Sequence, residues 1–191
     1  MFVGGKWRDE QEWPLARTVY TPYYLHADGS LSAQKPERDA HAISYEFDPT
    51  NPVPTLGGNV SSQGKLMFQG AADQRGRKDF WLTPDTTPLS ARNDVLVFRT
   101  APLAEDVEVT GRLVVTLWAA SDGPDTDFTV KLVEVYPPSA DFPNGVELNV
   151  ADGIVRARYR DGLDREQWLV PRKPGEVTHA MGPAPPLVPQ G

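Results

Sequence analysis

Hydrophobic and polar positions alternate steadily only between Arg92 and Arg160, and that stretch predicts four strands. Asn93 and Asp94 open the first, 94–100. The second, 107–120, is the longest. Val107, Val109, Leu113, Val115, Leu117 and Ala119 share one face, against Glu108, Thr110, Arg112 and Thr116, then Val114 and Trp118. This pattern predicts a half-exposed first part and a second part covered on both sides. The third strand, 127–136, sets Phe128, Val130, Leu132 and Tyr136 against Thr129 and Lys131. Val133 and Val135 break its alternation, which predicts a bulge or double burial. The fourth, 153–160, sets Val155, Ala157 and Tyr159 against Arg156, Arg158 and Arg160. Between the third and fourth lies a loop rich in Pro, Asn and Gly.

Outside this core the signals are shorter. Residues 21–26 read as a strand stopped by the turn around Asp28-Gly29, and 32–41 as loop. Ile43, Tyr45 and Phe47 share one face of a half-buried strand. Residues 48–58 read as an extended arm, with Pro49, Pro52 and Pro54 biasing it towards the polyproline conformation. Residues 59–92 carry no regular pattern, with Phe68, Phe80, Trp81 and Leu82 as anchors. Near the start, Arg8 to Trp13 forms at most one helical turn before Pro14. Trp7 and Trp13 offer large apolar surfaces that favour burial, either on this chain's own sandwich or against a neighbouring domain.

Composition narrows the fold class. The 191 residues include 19 prolines, about twice the roughly 5% average usage, and proline is tolerated poorly in helices and central strands. Two-residue periodicity with turn signals between strands therefore predicts an all-β antiparallel sandwich, a jelly roll. Its parts are an irregular N-terminal arm over 1–91, belonging to the same domain, a sandwich core over 92–177 and a disordered proline-rich tail over 178–191. The net charge of −7 argues against nucleic acid as a partner. The lack of cysteine excludes disulfides and thiolate metal sites. No apolar run approaches the roughly 20 residues of a membrane span, and no signal peptide opens the chain, so no membrane partner and a cytoplasmic location are expected.

Candidate chemistry is sparse. The nearest approach to a nucleophile elbow, around Ser61 and Ser62, lacks its first glycine and a following helix. His26, His41 and His179 have no spacing that forms a zinc site or a recognisable triad. Asp122, Asp125 and Asp127 cluster in one turn, where aspartates stabilise their own backbone or gather a hard cation such as calcium. Arg156, Arg158 and Arg160 form a solvated stripe or a site for carboxylates of another domain. Asn59-Val60-Ser61 fits a glycosylation acceptor, read here as incidental, and Gly4-Gly5-Lys6 is too short for a phosphate loop. No catalytic, cofactor-binding or metal residue is assigned, and no cofactor is expected.

Several segments taken in order carry a resemblance. Residues 6–14, 23–26 and 48–58, then 92–98, 106–111, 121–128 and 152–160, resemble the C-terminal domain of the CocE/NonD hydrolases. These are relatives of the Xaa-Pro dipeptidyl-peptidases, a group that includes cocaine esterase, α-amino acid ester hydrolases and glutaryl-cephalosporin acylases. The resemblance covers about residues 2–177. It implies a galactose-binding-like jelly roll, itself non-catalytic, attached to an α/β-hydrolase domain that holds the serine, aspartate and histidine. No motif of this chain matches those three, so the resemblance implies that the chain alone is inactive. The partner implied is that catalytic domain, with oligomers possible, and Trp7, Trp13, Pro49, Pro52 and Pro54 are the candidate contact residues. Beyond residue 177 the resemblance ends, which implies a fragment lacking its closing strands. A lectin-like carbohydrate-binding module is the alternative, resting on Trp118 or the Asp122–Asp127 turn.

Overall fold

The computed structural model describes residues 8–37, 42–55, 72–75 and 88–169. Among these the chain is all-β, with strands, bridges and two single 3-10 turns and no α-helix. Its contacts divide into two units, one of 1–41 with 98–115, the other of 42–97 with 116–191.

In the first unit, β1 (Tyr24–Leu25) and β2 (Leu31–Ser32) form a short antiparallel hairpin with Leu25 opposite Leu31. The Asp28-Gly29 signal sets the turn. Gly29 takes φ 82°, and the Asp28 carboxylate accepts from the Ser30 amide at 2.9 Å and the Ser30 hydroxyl at 2.7 Å. Arg99 lies alongside in a parallel bridge to Ser30, its amide donating to Gly29 O and its carbonyl accepting from Leu31 N. The predicted strand 94–100 is thus reduced to one bridging residue, and residues 21–26 to a two-residue strand.

In the second unit, β3 (Asp127–Tyr136) pairs antiparallel with β4 (Val146–Arg156). The predicted bounds of β3 hold. The register shifts where the alternation of β3 breaks, but the extra residue lies on the partner strand and not on β3: Leu132 faces Ala151 while Val133 faces Asn149, which leaves Val150 as the bulge of β4. One face of the ladder sets Asp127 opposite Arg156 and Lys131 opposite Asp152, so opposite charges meet directly across the strands. Phe128, Val130, Leu132 and Tyr136 are half-buried on the alternate positions.

The fourth predicted strand was misplaced. β4 starts at Val146, directly after a tight turn over Phe142–Gly145, and it stops at Arg156, where Ala157–Tyr159 winds into a 3-10 turn. The tight turn depends on Gly145 at φ 68°, whose amide donates to Phe142 O at 2.8 Å. Residues 72–75 run beside β4, with Gln74 N on Glu147 O at 2.7 Å and Asn149 N on Ala72 O at 3.0 Å. Leu89, in the 3-10 turn Leu89–Ala91, donates to Gln74 O and is buried. The described core of this unit is therefore small: Ala72, Leu89, Val146, Leu148 and Ala157, with the polar side chains of Gln74 and Asn149. Asn149 is 2% exposed, and among the described residues its side-chain amide has no hydrogen-bond partner, an unusual cost for a buried polar group.

Two predicted strands are not formed. Residues 43–47 and 107–120 belong to no ladder, and Ile43, Phe47, Val107, Val109, Leu113, Val114, Val115 and Trp118 are exposed. Alternation states which face a strand would bury; it supplies neither the neighbouring strand nor the surface that buries it. The anchors Phe68, Phe80, Trp81 and Leu82 and the tail 178–191 lie outside the described residues.

Glycine substitutions separate the strained turn from the open strand. A Cβ at Gly145 would stand 2.5 Å from Tyr136 O, in a backbone region L-residues rarely adopt, whereas a Cβ at Gly153 meets nothing within 4 Å. Gly145→Ala is expected to lower stability by at least about 1–2 kcal/mol, and Gly153→Ala to leave it unchanged within about 0.5 kcal/mol. Urea denaturation of the two variants measures the difference.

Candidate interaction surface

The candidate contact residues fall in two described places, while Trp7 lies outside the described residues. Trp13 sits in the first unit on a bend between Gln11 and Pro14, with no helix around it and 70% of its surface exposed. The expectation that it packs on the chain's own sandwich therefore fails. Its loop is nevertheless built. Arg17 donates to both carboxylate oxygens of Glu10, at 2.7 and 2.5 Å, and the Glu12 carboxylate accepts from Ala16 N at 3.0 Å. Leu15, just past the aromatic, is buried at 6% exposure. Arg8 in turn donates to both oxygens of Glu108, at 3.0 and 2.5 Å, and lies 3.7 Å from Glu10. The arginines hold the Glu10 and Glu108 carboxyls below the usual range, chiefly by these hydrogen bonds.

Pro49, Pro52 and Pro54 lie in the second unit. Pro49 and Pro52 are exposed and Pro54 is half-buried. The arm is not extended throughout. The Asp48 carboxylate accepts from the Thr50 amide at 2.8 Å and hydroxyl at 2.7 Å, and Asn51 N donates to Asp48 O, so the arm opens with a turn. Asp at a turn's first position outweighs the polyproline bias there. Arg92 holds the arm at Asn51, donating to its carbonyl at 2.6 Å, and grips Asp94 with two bonds of 2.7 Å.

The arginine stripe and the aspartate turn answer one another. Arg156 donates to both oxygens of Asp127 at 2.8 and 2.9 Å. Arg158 leaves the strand register in the 3-10 turn. Its amide donates to Asp125 at 3.0 Å, its guanidinium stands 3.6 Å from that carboxylate, and it lies 5.0 and 5.1 Å from the ring centres of Tyr159 and Trp168. Arg160 donates to the Ala157 and Gln167 carbonyls and to the Gln167 side chain. None of the three is a simple solvated face, and Asp125 and Asp127 are occupied by guanidinium groups. The carbohydrate alternative retains Trp118, 68% exposed, without those two carboxylates to assist it.

His26 lies 3.0 Å from the Ser32 hydroxyl across the hairpin, and that oxygen also accepts from Gln34 N. The Asp28 carboxylate is turned to Ser30, so this contact has the geometry of a hairpin, and among the described residues no third group orients the imidazole as a catalytic base requires. His41, His179, Ser61 and Ser62 lie outside the described residues. The loop salt bridges at Trp13 escaped the sequence reading. Glu10 and Arg17 are seven apart in a segment without periodicity, and Arg8 and Glu108 are separated by a hundred positions.

Residues 1–185 match the family described as the X-Pro dipeptidyl-peptidase C-terminal non-catalytic domain. The chain belongs to that family. The match runs past residue 177, so the expected break there is corrected. Among relatives, cocaine esterase of Rhodococcus sp. (strain MB1 Bresler) is 39% identical over 85% of this chain and 27% of its own length. A solved α-amino acid ester hydrolase is 33% identical with a TM-score of 0.64, over 80% of this chain and 24% of that one. The chain thus spans about a quarter of the proteins it matches, in agreement with the non-catalytic C-terminal domain expected from sequence.

The ion pairs carry a pH signature. Hydrogen bonds from Arg92 and Arg156 hold the Asp94 and Asp127 carboxyls below the usual carboxylate range. A depressed native pKa contributes stability that is complete above the unfolded value, about 3.9, and is lost as pH falls through the native value. The urea midpoint is therefore expected to stay level from pH 7 to about 5 and to drop below about pH 4. Asp94→Asn should lower the neutral-pH midpoint and shallow the acid decline.

Proposed function

We propose that this family domain supports and stabilises an α/β-hydrolase catalytic domain of the same polypeptide, of the serine acyl-esterase or Xaa-Pro dipeptidyl-peptidase type, and performs no hydrolysis itself. The observation that carries the reading is the family match to a non-catalytic domain that spans only 27% of its esterase relative. Trp13 supports it from within: a 70% exposed indole held in a bonded loop is poorly suited to solvent and well suited to a protein contact. Trp7 and the arm bearing Pro49, Pro52 and Pro54 complete the proposed contact set, and oligomers of the intact protein are compatible with it. The whole domain, with 1–91 as arm, 92–177 as core and 178–191 as tail, is read as a jelly roll, a reading favoured by its likeness to the ester hydrolase. The exposed apolar residues of 107–115 belong on this reading to a module that completes its burial against neighbouring structure.

A chimera tests the proposal. This chain replaces the matched segment of the Rhodococcus cocaine esterase, and ester hydrolysis and its thermal half-life are followed. The chimera is expected to hydrolyse ester while the 191-residue chain alone does not; hydrolysis by the isolated chain would sink the non-catalytic reading. Trp13→Ala in the chimera should shorten the half-life about 10-fold or more, the scale of a tryptophan lost from an interface centre. An unchanged half-life removes Trp13 from the contact.

A further inference from the structure

A solvent-facing tryptophan on an otherwise irregular loop ordinarily samples many positions, and a mobile side chain loses rotamer freedom when it docks. The loop around Trp13 is built differently. Glu10 and Arg17 close it across seven residues with two parallel charge-assisted bonds. Inside the closure, the Glu12 carboxylate takes the Ala16 amide, Thr18 N donates to Leu15 O at 3.0 Å, and Leu15 turns inward. The base is tied a second time, by Arg8 to Glu108. Gly111, at φ 108°, lets the chain pass so close to Thr18 that a Cβ would lie 3.1 Å from its methyl group. These contacts brace the loop through its backbone and its charged side chains, while the indole takes part in none of them and stays 70% exposed.

We infer that Glu10 and Arg17 are positioning residues, which hold Trp13 in a pre-formed docking loop for the apolar surface of the catalytic domain. The inference rests on the proposed domain contact and adds its device. Arg17 is 54% and Glu10 31% exposed, so solvent screens the pair and it adds little to the stability of the folded chain. Its effect falls on the order of the loop before contact. The partner surface is apolar at this point, since neither the indole nor Pro14 presents a charge, and Glu10, Glu12 and Arg17 are already bonded within the chain.

The chimera again supplies the assay, now with graded changes at Arg17. Arg17→Met keeps the length of the side chain and removes both bonds; Arg17→Lys keeps the charge and loses the fork. The thermal half-life is expected to fall about 3- to 5-fold for Met and by an intermediate amount for Lys. The urea midpoint of the 191-residue chain should move for neither. Adding salt should shorten the half-life of the Arg17 protein and leave the Met variant unaffected. Loss with Trp13→Ala but none with Arg17→Met overturns the positioning role and leaves the domain contact standing. No loss with either overturns the positioning role and removes Trp13 from the contact. A midpoint that falls in step with the half-life assigns Arg17 to folding alone and also overturns the inference.

Discussion

The ladder between β3 and β4 is the constraint on which the second unit depends. It fixes where Val146 and Leu148 turn inward, and so where residues 72–75 and Leu89 find a surface to cover. Gly145 sets one end of the ladder by allowing the return from Tyr136, and the Asp127–Arg156 fork sets the other. Immediately beyond the fork the chain winds rather than continuing in register. Arg158 is carried away from the strand face and onto Asp125, Tyr159 and Trp168. A run of three alternating arginines thus becomes three different internal contacts.

What surrounds this ladder is lightly packed for a self-sufficient domain. Among the described residues no large side chain is fully buried, and aromatic and branched residues remain outside on both units. Burial of apolar area is the main favourable term in folding, so a chain with this distribution gains by presenting its surface to another protein body. Family membership gives the same direction from an independent source, because the relatives are about four times longer than the stretch matched here. On the proposed reading the exposed indole of Trp13 has a physical rationale.

The sequence was most legible where partners are local. Asp28-Gly29 announced its turn, the alternation over 127–136 announced β3 with its true bounds, and the misfit of Val133 marked where the register shifts, though the extra residue sits on β4. Elements that depend on a distant neighbour were not legible. Residues 107–120 have the strongest alternation of the chain and form no strand, whereas Val146–Val150, hidden behind a loop signal, open β4. The site followed the same rule. Trp13 was visible as an unexplained aromatic, but Glu10 and Arg17 close its loop through geometry that no periodicity encodes. The resemblance found the family, because ordered short motifs survive where periodicity is uninformative, although it placed the end of the match too early.

The first unit is discontinuous: residues 1–41 contact 98–115, and everything between belongs elsewhere. During synthesis the Trp13 loop therefore leaves the ribosome long before Glu108, and the β1–β2 hairpin before Arg99. Neither can be completed until the intervening stretch has also emerged, so this half of the chain spends its translation with ties unmade. A chaperone would meet the loop in that interval. Cutting the gene between 41 and 98 to express the pieces separately would turn a temporary condition into a permanent one.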